Sequence, residues 1–199
     1  MRYPKLRELK EAVKALVKGP YTTKFPFEEH IPAERFRGKP EFHEQDCMGC
    51  TACANVCPAR AIDVCDEGDE RILTYNCDVC IFCGQCEANC PTGRGIILSK
   101  KFDLASLESR QEQNQEIRKK LVLCDACGET AAPYDQLVWV AEKLGALLYS
   151  NTSLLKVYFS SMDISSGENP TSESLEEAGR AKRAEVLCPA CRRKAVYKS

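Results

Sequence analysis

The chain has 199 residues, 44% of them hydrophobic, and a formal net charge of −1. That length suits one ordinary domain or two small ones, and the balance argues against global disorder, wholesale nucleic-acid binding and charge-driven membrane binding. Fourteen cysteines are too many for an intracellular chain unless most of them hold metal. Disulfide scaffolds use thiols as densely, but they belong to short secreted chains. Met1 to Lys18 lacks the continuous apolar core of a secretory leader, so a reducing, cytoplasmic setting is expected. No apolar run reaches membrane-spanning length.

In chain order, residues 4–18 read as a basic amphipathic helix. Leu6, Leu9, Val13, Leu16 and Val17 recur at helical spacing, and Lys5, Arg7, Lys10, Lys14 and Lys18 fill the other faces. Gly19-Pro20 ends it. Such a helix either packs on its own domain or docks on a partner or lipid surface. The docking arm is favoured, because the next segment does not look able to bury it. That segment is rich in proline (20, 26, 32, 40) and aromatics (21, 25, 27, 36) and reads as an extended strap. Residues 1–40 thus form a helix and docking strap. His30 and His43 have no ligand spacing to any cysteine.

Residues 41–100 carry one phrase written twice. Cys47, Cys50, Cys53, Cys57 and Pro58 repeat as Cys80, Cys83, Cys86, Cys90 and Pro91 at a constant shift. Both copies read C-x2-C-x2-C-x3-C-P, the bacterial ferredoxin pattern for a 4Fe–4S cluster, whose irons need soft thiolates. In two-cluster ferredoxins the fourth cysteine of each run ligates the other cluster. The expected sets are therefore Cys47, Cys50, Cys53 and Cys90 for cluster 1, and Cys80, Cys83, Cys86 and Cys57 for cluster 2. A register starting at Cys77 lacks the x3 gap and trailing proline, and Cys65 has no partner at ligand spacing. Both read as ordinary small thiols. Short strands are expected at 61–64 and 95–98, pairing beside the clusters, with another at 71–75 after a charged turn at 66–70. Acidic residues around the motifs point to low potentials, since negative surroundings disfavour the extra electron.

Residues 101–120 are polar and helix-prone and read as a helical linker. Residues 121–199 form a second domain, with Cys124-x2-Cys127 and Cys188-x2-Cys191 at its ends. Two such knuckles fit a closed tetrahedral site of four thiolates holding one zinc, with rubredoxin-type iron as the alternative. A helix is expected over 134–149, a strand over 154–159 and a mobile insertion near 163–180. Basic residues near the C-terminus lack the aromatic platform that nucleic-acid binding would need. The fold class expected is α+β: a bacterial-type two-cluster ferredoxin fold with an N-terminal amphipathic helix and a C-terminal zinc-ribbon-like domain.

Gly-Pro-Tyr-Thr-Thr-Lys-Phe-Pro at 19–26, Phe-Arg-Gly at 36–38, the paired motifs and Phe102-Asp103-Leu104-Ala105 follow the N-terminal helix in one order. Residues 4–110 thereby resemble the two-cluster ferredoxin-like subunit of respiratory complex I and of membrane-bound NiFe hydrogenases, including formate hydrogenlyase. The resemblance implies a non-catalytic electron-relay subunit, peripheral on the cytoplasmic face of the membrane. Its partners would be other redox subunits and, through the N-terminal helix, a membrane-arm subunit. The C-terminal cysteine domain is a departure from the complex I type and inclines the expectation towards a hydrogenase-type assembly. A free soluble ferredoxin and an iron–sulfur/zinc regulatory or nucleic-acid-binding protein are the competing readings. No nucleotide-cradling loop or nucleophile–base pair supplies substrate chemistry of the chain's own.

Overall fold

The computed structural model describes residues 5–20, 22–107, 109–162 and 185–197. They fall in two compact units, Met1–Phe36 and Arg37–Ser199.

The first unit holds α1, Leu6–Lys18. The Glu8 carboxylate accepts a hydrogen bond from the Lys5 backbone N–H at 3.1 Å, satisfying one donor that the helix start leaves free. Gly19, at φ 76°, closes the other end with its N–H on the Ala15 carbonyl. No residue of α1 is buried, and its apolar stripe is open: Leu6, Leu16 and Val17 are more than four-fifths exposed. Among the described residues no helix is long and apolar enough to cross a membrane.

The second unit is built on two antiparallel sheets. The smaller pairs β1, Pro40–Phe42, with β4, Ile96–Leu98. The larger has the order β2-β3-β5-β6, with β2 Ile62–Glu67, β3 Glu70–Tyr75, β5 Gln115–Leu123 and β6 Thr130–Pro133. Gln115 joins the sheets: its side-chain amide accepts from Phe42 N–H at 2.7 Å and donates to the Phe42 carbonyl at 3.1 Å, as a neighbouring strand would. The core gathers Phe42, Ile62, Leu73, Tyr75, Ile96 and Ile117, with most of the motif cysteines packed against it. Two short helices, α2 (Ala52–Asn55) and α3 (Gln85–Ala88), carry Cys53 and Cys86.

Several expected elements differ. Among its described residues, the stretch read as a helical linker over 101–120 holds only a 3-10 turn, Arg110–Gln113, before β5 begins. β5 alternates buried Ile117, Lys119 and Leu121 with exposed Glu116, Arg118 and Lys120. A buried lysine on the inward face is what hid this strand's period of two. The short strands expected at 61–64 and 95–98 form as β2 and β4, paired with β3 and β1 respectively. The helix expected over 134–149 is α4, Tyr134–Leu144, broken at Gly145 (φ 52°) into a 3-10 turn. The strand expected over 154–159 is a helix, α5, Thr152–Ser161. Asn151 caps it by accepting from Leu154 N–H at 3.2 Å, and Leu154 and Val157 bury a helical face. The insertion expected near 163–180 lies outside the described residues.

Candidate metal centres

The cysteine phrase repeats in backbone as well as in sequence. Three positions take a left-handed conformation in each copy: Gly49, Thr51 and Arg60 in the first, and Phe82, Gly84 and Gly93 in the second. They correspond pairwise under the same shift that superimposes the cysteines. Each pair contains one glycine, and the three non-glycine members accept strain of about 1 kcal/mol each for that conformation. The loop path therefore departs from what local preference alone selects.

Two cavities lie within these loops. One is lined by Cys47, Cys50, Cys53 and Cys90, with Phe42 and Leu73 behind them. The other is lined by Cys80, Cys83, Cys86 and Cys57, with Pro40 and Tyr75 behind them. Each takes three cysteines from one copy and the fourth from the other. β1 and β3 each supply one residue to both cavities, Phe42 and Leu73 to the first and Pro40 and Tyr75 to the second.

The donor set has the chemistry of a metal site. Burial pushes the Cys53 thiol up to about 12 and Cys86 to about 11, and raises Cys47. Without a cation such thiols stay protonated; as thiolates they need one beside them. Cys90 goes the other way: burial opposes ionisation, but the Thr92 hydroxyl and the Gly95, Thr92 and Ile96 N–H groups prevail. Further donors face the sulfurs, Ala61 N–H on Cys57 at 3.2 Å and Phe82 N–H on Cys80 at 3.4 Å. Among the described residues, the Tyr75 hydroxyl is the single buried side-chain N or O atom with no hydrogen-bond partner. Stranding it costs about 1–3 kcal/mol unless something in the cavity accepts from it. A 4Fe–4S cluster fits these residues on all three counts.

The other two thiols stand apart. Cys65 is exposed on β2, 3.8 Å from the Glu67 carboxylate. Cys77 opens a 3-10 turn, its N–H held by the Asn114 side chain at 3.0 Å. Neither is among the residues lining these two cavities.

Sequence reasoning missed two cations at the first cavity. Arg71 makes a two-bond fork to Asp66, at 2.7 and 2.8 Å, and donates to the Gly49 carbonyl at 3.1 Å. The Lys119 ammonium donates to the Glu44 carbonyl and to the Asp135 carboxylate, the latter at 2.9 Å. Its charge favours the Cys47 thiolate. Asp135 lies on α4, so this contact ties the C-terminal helices to the loop that enters the first copy. The missing signal was the strand: with residues 101–120 read as a helical linker, Lys119 had no inward face to occupy.

The C-terminal knuckles meet. The sulfurs of Cys124, Cys127, Cys188 and Cys191 all lie within 4.8 Å of one another. The Cys127–Cys188 separation is 3.6 Å, close to the ~3.8 Å edge of a tetrahedron with zinc–sulfur bonds of about 2.3 Å. The first knuckle sits on the turn between β5 and β6, and the second lies at and just inside the start of α6, Pro189–Tyr197. A ribbon would take both from hairpins; here one comes from a helix start. Asp125 and Val186 lock the knuckles together through two bonds of 2.9 Å. Backbone N–H groups, that of Cys188 foremost, bring the Cys124 thiol down to about 6, whereas the neighbouring Cys127 and Cys188 push Cys191 up to about 12. One thiol is ready to ionise and another resists until a dication offsets its neighbours' charge.

Comparison with known proteins bears on the same residues. The family model for the 4Fe-4S dicluster domain matches residues 46–94. The chain is 36% identical over 104 residues to NAD(P)H-quinone oxidoreductase subunit I of Gloeobacter violaceus, covering 49% of each chain. It is 32% identical over 117 residues to NADH-quinone oxidoreductase subunit I 2 of Geobacter metallireducens, covering 53% of this chain and 88% of that one. With formate hydrogenlyase subunit 6 of Escherichia coli it shares 43% identity over 53 residues, 26% of this chain and 29% of that one. The chain thus spans about half of the Gloeobacter protein and most of the Geobacter one.

Proposed function

This chain belongs to the NADH-quinone oxidoreductase subunit I family, and we propose that it passes single electrons through two 4Fe–4S clusters between partner subunits of a membrane-associated oxidoreductase. Cys47, Cys50, Cys53 and Cys90 hold cluster 1, and Cys80, Cys83, Cys86 and Cys57 hold cluster 2. The observation that carries this reading is the division of the eight motif cysteines between two cavities, each completed by the fourth cysteine of the other copy. Neither site can then form unless both halves of the repeat are folded, so metal binding is largely folding free energy.

When bound, such clusters supply one-electron transfer at thiolate-ligated iron. The chain's residues bind, orient and seclude them. Backbone N–H groups and the Thr92 hydroxyl face the sulfurs, and Phe42, Leu73 and Ile96 keep water from the first site. Leu73 and Tyr75, two residues apart on β3, stand behind the first and the second cavity, about 7 Å apart along the strand. One buried strand thus backs both ends of the proposed relay.

Cys124, Cys127, Cys188 and Cys191 hold one zinc in a closed site without an open coordination position, stapling the small C-terminal domain. The exposed apolar stripe of α1 is the arm that docks on a membrane-arm subunit, on the inner face of the membrane. The assembly is of the complex I or NiFe-hydrogenase kind; the resemblance to a formate hydrogenlyase subunit keeps the second within reach. Anaerobic purification of the native complex tests the reading. Co-purification with redox subunits and a membrane-embedded subunit is expected; a stable monomer without partners would replace the relay with a free ferredoxin.

A further inference from the structure

Tyr75 ends β3 and is 1% exposed. Its ring lies beside Ile62 in the register of β2 and β3, and it lines the cavity with Cys57, Cys80, Cys83 and Cys86. Its hydroxyl has no hydrogen-bond partner. After burial itself, the groups that act on it most are the Cys80 sulfur and then the Cys77 sulfur. A buried tyrosine hydroxyl ordinarily finds an acceptor, and phenylalanine would fill the same space without the desolvation cost.

The repeat shows what the hydroxyl replaces. At the first cavity Thr92, directly after Pro91, sets its Oγ1 3.3 Å from the Cys90 sulfur and accepts from Gly95 N–H at 3.0 Å. The corresponding residue of the other copy, after Pro58, is Ala59, which lines the second cavity and has no hydroxyl to offer. Tyr75 brings a hydroxyl to that cavity from the sheet side instead. Of the two sulfurs that act on it most, Cys77 lies outside the ligand set, and a thiol sulfur is a weak acceptor. Cys80 as a metal-bound thiolate carries negative charge and is the stronger one.

We propose that the Tyr75 hydroxyl donates a hydrogen bond to the Cys80 thiolate of cluster 2 and sets that cluster's reduction potential apart from the other's. Tyr75 is a positioning and tuning residue, outside the ligand set. A hydrogen bond to a ligating sulfur withdraws charge and favours the reduced state, which carries one more electron. Its loss therefore lowers the midpoint of one cluster.

The inference rests on the two-cluster reading and is tested with the full chain carrying Tyr75→Phe. Anaerobic redox titration followed by electron paramagnetic resonance reads both midpoints, and iron analysis accompanies it. The expected result is about eight irons per chain, one midpoint moved to more negative potential and the other unchanged. Eight irons with both midpoints unmoved would overturn the inference alone. About four irons in the unsubstituted protein would remove the two-cluster reading beneath it. Loss of a cluster in Tyr75→Phe also overturns the inference, because the hydroxyl would then be needed for assembly and not for tuning. Cys77→Ala is the companion variant: an unmoved midpoint there is expected. The same negative shift in both variants would overturn the inference by making local packing the cause.

Discussion

Replacing Lys119 by methionine keeps the aliphatic stem and removes the charge from the most enclosed cation at the first cavity. Lys119 is 8% exposed and its ammonium bridges the Glu44 carbonyl and the Asp135 carboxylate. A hydrogen bond from a charged donor to a carbonyl contributes about 1.5–3 kcal/mol. The Asp135 partner is 45% exposed on its side chain, so solvent screening leaves that pair roughly 0–1 kcal/mol. Relief from burying an ammonium offsets part of this loss. The net cost expected is about 1–2 kcal/mol, a factor of roughly 5–30 in an equilibrium or rate. Cluster proteins lose metal irreversibly on unfolding, so the assay is the anaerobic rate of visible bleaching in urea. The variant should bleach faster by that factor. Its first-cluster midpoint should also fall, since a nearby positive charge favours the added electron. A bleaching rate within twofold of the parent, with both midpoints unmoved, would refute the reasoning.

Crossed ligation predicts that Cys57→Ser, although it alters the first copy of the phrase, perturbs the cluster held by Cys80, Cys83 and Cys86. Electron paramagnetic resonance of the reduced variant should show that signal changed, and a change confined to the other signal would restore uncrossed ligation. Cys191→Ser should release the zinc proposed for the C-terminal knuckles while iron stays at about eight per chain, measured by metal analysis of the purified variant. The Asp66 carboxyl is held below its usual range, first by its hydrogen bond from Arg71 and then by that residue's charge. This stabilisation is complete above the unfolded value of about 3.9 and disappears as pH falls through the lowered folded value. Asp66→Asn should therefore bleach faster by an amount worth up to about 1 kcal/mol, with the same gap throughout the neutral range, well above both values. No gap at neutral pH would contradict the assignment.

The candidate metal-binding cysteines were legible in the sequence because their spacing constrains which thiols can surround one metal centre. Cysteines at x2 intervals can wrap a cluster only in a few ways, and the two C-terminal knuckles announce themselves equally well. Less legible was everything decided by tertiary contact. Gln115 to Leu123 has polar residues at most positions, and its strand character comes from pairing with β3 and β6. Leu154 to Phe159 is apolar enough for either strand or helix; the Asn151 cap and the packing of Leu154 and Leu148 decide for helix. Lys119 could be seen as a site residue only once β5 gave it a buried face. Tyr75 could be placed on the expected strand, but nothing in one sequence says that its hydroxyl lacks a partner. The left-handed positions were half visible: Gly49, Gly84 and Gly93 are glycines, whereas their counterparts Phe82, Thr51 and Arg60 carry no such mark.

The measurement that bears most directly on the two-cluster relay is the iron and acid-labile sulfide content of the anaerobically purified full chain, taken with the spin count of its reduced form. About eight irons, eight sulfides and two spins per chain are expected. About four irons and one spin would contradict the account, because a single cluster would leave one of the two cysteine-lined cavities without its occupant and the relay without its second site.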